Sequence, residues 1–324
     1  MLEILLIIPG ILLLMKGADY FVESASSLAL KLKVKPIFIG LTVVAFGTSF
    51  PELIVNIFSA VDNNTQIAFG NIVGSNIVNL LLILGSSAII SKLKVNSNTV
   101  WKEIPFSFLA SILLLVFALE KFLNYRDFNY ISSLATEITF SHGIILLLFF
   151  IIFLYYTFGI AKNTETIDED IKEESLSKSI LFVILGLAAI VLGGKFTVDS
   201  AISIANMFGV SQTLIGLTIV AVGTSLPELV TSIVAAKKNQ TDLAVGNVIG
   251  SNIFNIFFIL GITATIRNIP INFNNFIDLL FLMFITLFVF INLFIREKHK
   301  LGRLEGISMV LLYIGYTAYL IYRG

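Results

Sequence analysis

The sequence predicts an all-α integral membrane protein with ten transmembrane helices arranged as two inverted five-helix repeats. Three observations carry this expectation: the composition, the spacing of the apolar stretches, and a self-match at one fixed offset. Of 324 residues, 57% are hydrophobic and 13% charged, and the mean hydropathy is +0.96. So few charges cannot cover a soluble surface, so the lipid bilayer is the expected partner. The 21 basic and 21 acidic residues cancel, which argues against a nucleic-acid binder or an acidic interaction tail. Cysteine is absent, which excludes disulfide frameworks, thiolate metal sites and cysteine nucleophiles.

A hydrocarbon core about 30 Å thick requires about 20 apolar residues per helix. Ten stretches meet that need, at about 3–29, 37–60, 67–90, 103–119, 143–160, 179–205, 212–235, 243–265, 275–295 and 304–322. The first could pass for a signal peptide, but it lacks a basic start and runs on through Lys16–Glu23 into more apolar sequence, so it reads as a helix. Cations set the orientation, because Lys and Arg are retained in cytoplasmic joints. Fifteen of the 21 Lys and Arg residues fall after segments 1, 3, 5, 7 and 9. Both termini are therefore expected outside a cell membrane crossed many times. The acidic run Thr164–Glu174 reads as a solvated cytoplasmic hinge. It divides the chain into a first repeat (1–160), a linker (161–178) and a second repeat (179–324). A monomer is the expected state.

Shifting the chain by 176 residues superposes Gly40–Gly85 on Gly216–Gly261 with 26 of 46 identities and no gap. G-L-T-V-V-A-F-G-T-S-F-P-E-L meets G-L-T-I-V-A-V-G-T-S-L-P-E-L, and G-N-I-V-G-S-N-I-V-N meets G-N-V-I-G-S-N-I-F-N. Five helices separate equivalent positions, so the second copy crosses the membrane in the opposite sense. Secondary transporters are often built this way, with the substrate site at the repeat interface. Duplication for structural bulk would share apolar positions, whereas these identities concentrate in polar residues.

Thr48, Ser49 and Glu52 occupy the centre of segment 2 at helical spacing, and Thr224, Ser225 and Glu228 repeat them in segment 7. An acidic side chain at the bilayer centre costs about 2.5–3.5 kcal/mol on insertion scales and marks an ion or proton path. Pro51 and Pro227 deprive the carbonyls of Gly47 and Gly223 of their helical partners. Carbonyl, hydroxyl and carboxylate oxygens are hard ligands, suited to calcium and sodium rather than zinc or copper. In segments 3 and 8, Asn71, Ser75 and Asn79, and Asn247, Ser251 and Asn255, form polar stripes. Ser75, Asn79, Ser251 and Asn255 read as cation ligands or their support, and Asn71, Asn76, Asn247 and Asn252 as interhelical hydrogen-bonding residues. Gly70, Gly74, Gly246 and Gly250 offer small faces for close helix approach. Lys16 with Asp19, and Lys195 with Asp199, have the spacing of self-neutralising pairs. His142 and His299 are expected solvated in joints, and Trp101 at an interface.

At these residues the sequence resembles the calcium/cation antiporter superfamily, specifically its sodium/calcium exchanger branch. Its alpha repeats have the G-T-S-x-P-E-L and G-N-x-x-G-S-N forms found twice here. The resemblance covers essentially the whole chain and implies the ten-helix, five-plus-five plan. It implies that Glu52 and Glu228 are shared by calcium and sodium. Thr48, Ser49, Thr224 and Ser225, the carbonyls of Ala45 and Ala221, and the hydroxyls of Ser75 and Ser251 would complete flanking sodium sites, with Asn79 and Asn255 lining the centre. It further implies exchange of three sodium ions for each calcium by alternating access, as helices 1 and 6 slide over the other eight. One departure is Asn255, where many prokaryotic relatives carry Asp.

The expectation is thus an electrogenic sodium/calcium antiporter, not an enzyme, that needs no cofactor and carries Ca2+ and Na+ as its transported ions. The alternatives are a proton/calcium exchanger, a potassium-dependent cation/calcium exchanger or, in a different class, a cation channel.

Overall fold

A computed structural model describes residues 6–62, 65–120, 123, 136–161, 175–208 and 221–323. Helix α1 spans Ile7–Lys31. Helices α2 (Pro36–Thr48) and α3 (Phe50–Val61) form one path bent by 46° at Ser49. A continuous helix over 65–90, α4, follows, with a π-turn at Val78–Ile83. Helices α5 (Thr99–Ala118) and α6 (Phe140–Ala161) complete the first half. In the second half come α7 (Leu176–Met207), α8 (Ala221–Thr224), α9 (Leu226–Lys237) and α10 (Thr241–Ile266). Helices α11 (Phe273–Ile295) and α12 (Arg303–Arg323) close the chain.

Seven of these helices are long and apolar enough to cross a membrane, and the α2–α3 pair is an eighth if counted as one broken span. Helix α1 is long enough, but Lys16, Asp19 and Glu23 interrupt its apolar run. Much of the expected segment at 212–235 lies outside the described residues, as does most of the 161–178 linker. Helix α7 begins at Leu176, three residues before the expected start of the second repeat.

Two short antiparallel sheets clamp the helix ends. Strand β1 (Leu93–Lys94) pairs with β4 (Lys300–Leu301), and β2 (Thr136–Ile138) with β3 (Ile269–Ile271). The first sheet joins two of the cation-rich joints, and the second joins two on the cation-poor side. This pairing agrees with the alternation read from charge.

The core lies around α4 and α10, whose apolar side chains are almost all buried. By contrast, α6, α7 and α12 leave wide faces of Leu, Ile, Phe and Tyr exposed, as helices do when lipid is their solvent. Helices α1 and α7 cross on glycines. A Cβ on Gly193 would stand 2.7 Å from the Gly10 carbonyl oxygen, and one on Gly186 would stand 2.9 Å from that of Gly17. Such small faces let backbones approach until dispersion replaces the missing hydrophobic drive. A Cβ on Gly246 would likewise stand 3.1 Å from the Gly40 Cα, and one on Gly250 2.9 Å from the Leu41 Cα. Gly70 and Gly74 meet nothing within 4 Å among the described residues, and the stretch equivalent to Gly40 and Leu41 lies outside them.

Three expectations about charged and polar side chains are corrected. Asp19 pairs with Lys238 at 3.3 Å, not with Lys16, and Lys238 also reaches Glu23 at 2.9 Å. Lys195 and Asp199 form no ion pair among the described residues, because one turn of spacing does not aim two flexible side chains at each other. His142 is 8% exposed, not solvated. Helix α6 starts early enough to stack its ring 4.1 Å from that of Phe117, with the Thr139 N–H donating to Nδ1 at 3.2 Å. The ring of His299 packs edge-on against Phe294, with Nε2 buried.

Candidate functional site

The polar centre begins with two helix breaks. Proline lacks an N–H and clashes with the preceding turn, so it is tolerated only in the first turn of a helix. Pro51 and Pro227 occupy that turn in α3 and α9. The residues just before the new helices, Ser49 (φ −81°, ψ 7°) and Ser225 (φ −91°, ψ 9°), sit in the bridge region, a sparsely populated backbone conformation favoured at functional sites. Each break leaves Glu52 or Glu228 in a first helical turn, where the helix dipole favours negative charge. Both carboxylates are 1% exposed.

The two halves then hold each other's carboxylates. Ser49 Oγ donates to Glu228 Oε1 at 3.0 Å, and its equivalent Ser225 donates to Glu52 Oε1 at 3.3 Å. Ser75 Oγ adds a contact to Glu52 Oε1 at 3.4 Å. Ser251, its equivalent, and Thr48 lie beside Glu228. Thr48 Oγ1 also lies 3.4 Å from the Ala45 carbonyl and donates to Asn247 Oδ1 at 3.0 Å. Thr224 and Ala221 form the short helix α8 immediately before the second break.

The second layer is a crossed set of amides. Asn79 Nδ2 donates to Asn252 Oδ1 at 3.0 Å, and Asn255 Nδ2 to Asn76 Oδ1 at 2.9 Å. Asn76 Nδ2 in turn donates to the Asn252 carbonyl at 3.2 Å. Asn79 and Asn255 both lie in π-turns, Val78–Ile83 and Phe254–Leu260. A π-turn carries an extra residue and often marks a functional site. Each central amide's N–H group is engaged, and its oxygen is left buried without a partner.

Several polar atoms of this cluster lack a partner. Glu52 Oε2, Glu228 Oε2, Asn79 Oδ1 and Asn255 Oδ1 are buried without a hydrogen-bond partner, as is Ser251 Oγ. Buried oxygens are rarely left unmatched unless an ion or water completes them. Two carboxylates and several neutral oxygens suit a hard cation. Among the described residues, no three His, Cys, Asp or Glu gather into a metal cluster.

Sequence patterning placed Asn76 and Asn252 as helix-pairing residues but did not reveal that they accept from the central amides. It also passed over Ser232, which accepts from Asn247 Nδ2 at 2.9 Å, and Asn56, which accepts from Asn71 Nδ2 at 3.1 Å. A further buried carboxylate, Glu103, accepts from the Tyr156 hydroxyl. The signal that could have found it is an acidic residue at the mouth of an apolar span.

Comparison with known proteins identifies the family. The model of a family described as sodium/calcium exchanger protein matches residues 2–159 and 178–322. The sodium/calcium exchanger MaX1 of Methanosarcina acetivorans is 34% identical over 348 residues, with 98% of each chain covered. The inner membrane protein YrbG of Escherichia coli is 36% identical over 271 residues, covering 81% of this chain and 79% of its own. Among solved structures, the sodium-calcium exchanger NCX_Mj soaked with 10 mM Na+ and zero Ca2+ is similar at 32% identity, with a TM-score of 0.82 and 98% of each chain covered. The chain is a multi-pass membrane protein and belongs to the sodium/calcium exchanger family, a branch of the calcium/cation antiporter superfamily.

Proposed function

We propose that the protein exchanges sodium for calcium across the cell membrane by alternating access, at a shared site in which Glu52 and Glu228 carry the charge. One observation carries the reading: two buried carboxylates, each held by a serine 176 residues from its own half's serine, keep an unpartnered oxygen, as do the amides of Asn79 and Asn255. The two negative charges balance one calcium or two sodium ions, so either load satisfies the site and neither can join the other. That exclusion is the physical basis of coupling. A third sodium would leave one net positive charge on the loaded site, which makes the exchange electrogenic.

In this reading ten transmembrane helices form two inverted five-helix repeats, residues 1–160 and 179–324, with the acidic linker in the cytoplasm, both termini outside and a monomer as the working unit. The matched hydrogen bonds at a constant offset and the two end-clamping sheets support it. The flanking ligands are Thr48, Ser49, Thr224, Ser225, Ser75, Ser251 and the carbonyls of Ala45 and Ala221, with Asn79 and Asn255 at the centre. That MaX1 and NCX_Mj are named sodium/calcium exchangers supports sodium as the counter-ion.

In proteoliposomes, an outward sodium gradient is expected to drive calcium uptake, and collapsing the gradient to abolish it. Uptake that ignores sodium but follows a pH step would make the protein a proton/calcium exchanger instead.

A further inference from the structure

Away from the central site, a cavity of about 350 Å³ opens between the joint after α4 and the joint linking α11 to α12. Its floor is fixed. Leu93 and Leu301, paired across the β1–β4 sheet, are 0% and 1% exposed. The Val95 N–H donates to the His299 carbonyl at 2.9 Å, and the His299 N–H to that of Leu293 at 2.7 Å. His299 holds the turn in the left-handed region, φ 59°.

Four cations, Lys92, Arg296, Lys300 and Arg303, and two carboxylates, Glu297 and Glu305, line the cavity. The carboxylates are fully engaged. Glu297 accepts from Lys92 through Oε1 and from Lys300 at 2.9 Å through Oε2. Glu305 Oε2 accepts the Gly302 N–H at 3.0 Å, and Oε1 lies 3.8 Å from Arg296. The start of α12 is therefore already capped. Two positive charges remain in surplus, and Arg303 has no acidic partner among the described residues.

The depth of the cavity identifies its ligand. Helix α11 ends at Ile295 and α12 begins at Arg303, so the cavity sits where two spans leave the hydrocarbon. Trp101, 58% exposed, packs against Phe290 and Phe294 at 5.8 and 5.5 Å, and tryptophan favours headgroup level. Surplus cations at that level attract anionic lipid phosphates, and a guanidinium fork matches phosphate oxygens. We propose that this cavity binds the phosphate of an anionic phospholipid headgroup, with Arg303 and Arg296 as its principal donors. The site stands independently of the exchange reading. A bound headgroup would tie the α4–α5 and α11–α12 joints to one leaflet.

The test is native mass spectrometry of the full-length protein after exposure to mixed phosphatidylglycerol and phosphatidylcholine. One phosphatidylglycerol per chain is expected to be retained in preference to phosphatidylcholine. Arg303→Gln should weaken that retention about fivefold, the effect of one cation near a membrane surface, while Arg303→Lys, which keeps the charge but loses the fork, should recover only part of it. Lys298→Gln removes a neighbouring exposed cation that does not line the cavity, and should change retention less than twofold. Equal losses in Lys298→Gln and Arg303→Gln would overturn the proposal in favour of diffuse surface charge. Equal retention of both lipids would overturn it outright. Displacement of the lipid by millimolar inorganic phosphate would reassign the cavity to a soluble anion.

Discussion

Glu52→Gln and Glu228→Gln remove one of two negative charges from a site where each carboxylate is 1% exposed, so water cannot replace it. A bound calcium would then hold one uncompensated positive charge. Removing one partner of a buried charge pair costs about 3–5 kcal/mol, equivalent to roughly a 150- to 5,000-fold rise in calcium Kd. A sodium ion carries half the charge and loses about half the Coulomb energy. Its affinity should fall only about 10- to 70-fold. Both variants should therefore shift selectivity toward sodium, and by similar amounts, because Ser49 and Ser225 support the two carboxylates in matching ways. Isothermal titration of the detergent-purified protein with each ion measures both constants. Calcium affinity within threefold of the parent in both variants would refute a shared two-carboxylate load.

Gly193→Ala would place a Cβ 2.7 Å from the Gly10 carbonyl oxygen and the Leu14 nitrogen, atoms of a helix backbone that cannot yield. Overpacking of this kind costs about 1–3 kcal/mol, so thermal stability in detergent should drop, whereas Gly315→Ala, with nothing within 4 Å among the described residues, should leave it unchanged. Asn252→Leu deletes the acceptor that orients Asn79 and leaves a buried donor unmatched, at about 1–3 kcal/mol. Calcium binding should weaken by up to about 100-fold, and Asn252→Asp, which keeps an acceptor, should recover part of it. Glu297 is held down to about 2 from its ordinary 4.5, chiefly by the Lys92 and Lys300 hydrogen bonds. A depressed carboxylate stabilises the fold above its unfolded pKa and loses that effect as pH falls. The contribution should disappear between about pH 4.5 and 2. Acid titration of Trp101 fluorescence should show this limb in the parent and lose it in Glu297→Gln.

Much of the centre was legible because its determinants are local. A proline inside an apolar span forces a break, and the adjacent acidic and hydroxyl residues then share that break; both breaks fall at Ser49 and Ser225. The stripes on α4 and α10 were legible from helical spacing. Spacing, however, fixes a face and not a rotamer, so it could not reveal that Asn76 and Asn252 receive the N–H groups of Asn255 and Asn79. The π-turns were hidden for a related reason. V-N-L-L-L-I and F-N-I-F-F-I-L carry no residue that demands an extra member in the turn, and tertiary packing decides it. Long-range ion pairs were equally silent, since Asp19 finds Lys238 more than two hundred residues along the chain.

The exchange of partners across the centre has a genetic consequence. Ser49 steadies Glu228, Ser225 steadies Glu52, and the amides trade acceptors in the same fashion. A fragment containing one copy of these groups would possess every ligand type and yet lack the braces that cross between the halves. It could assemble a working centre only by docking with its counterpart, whether the other fragment supplied in trans or a second copy of itself. A change in either copy is consequently felt first by the other, so second-site suppressors of a Ser49 lesion should be sought around Glu228.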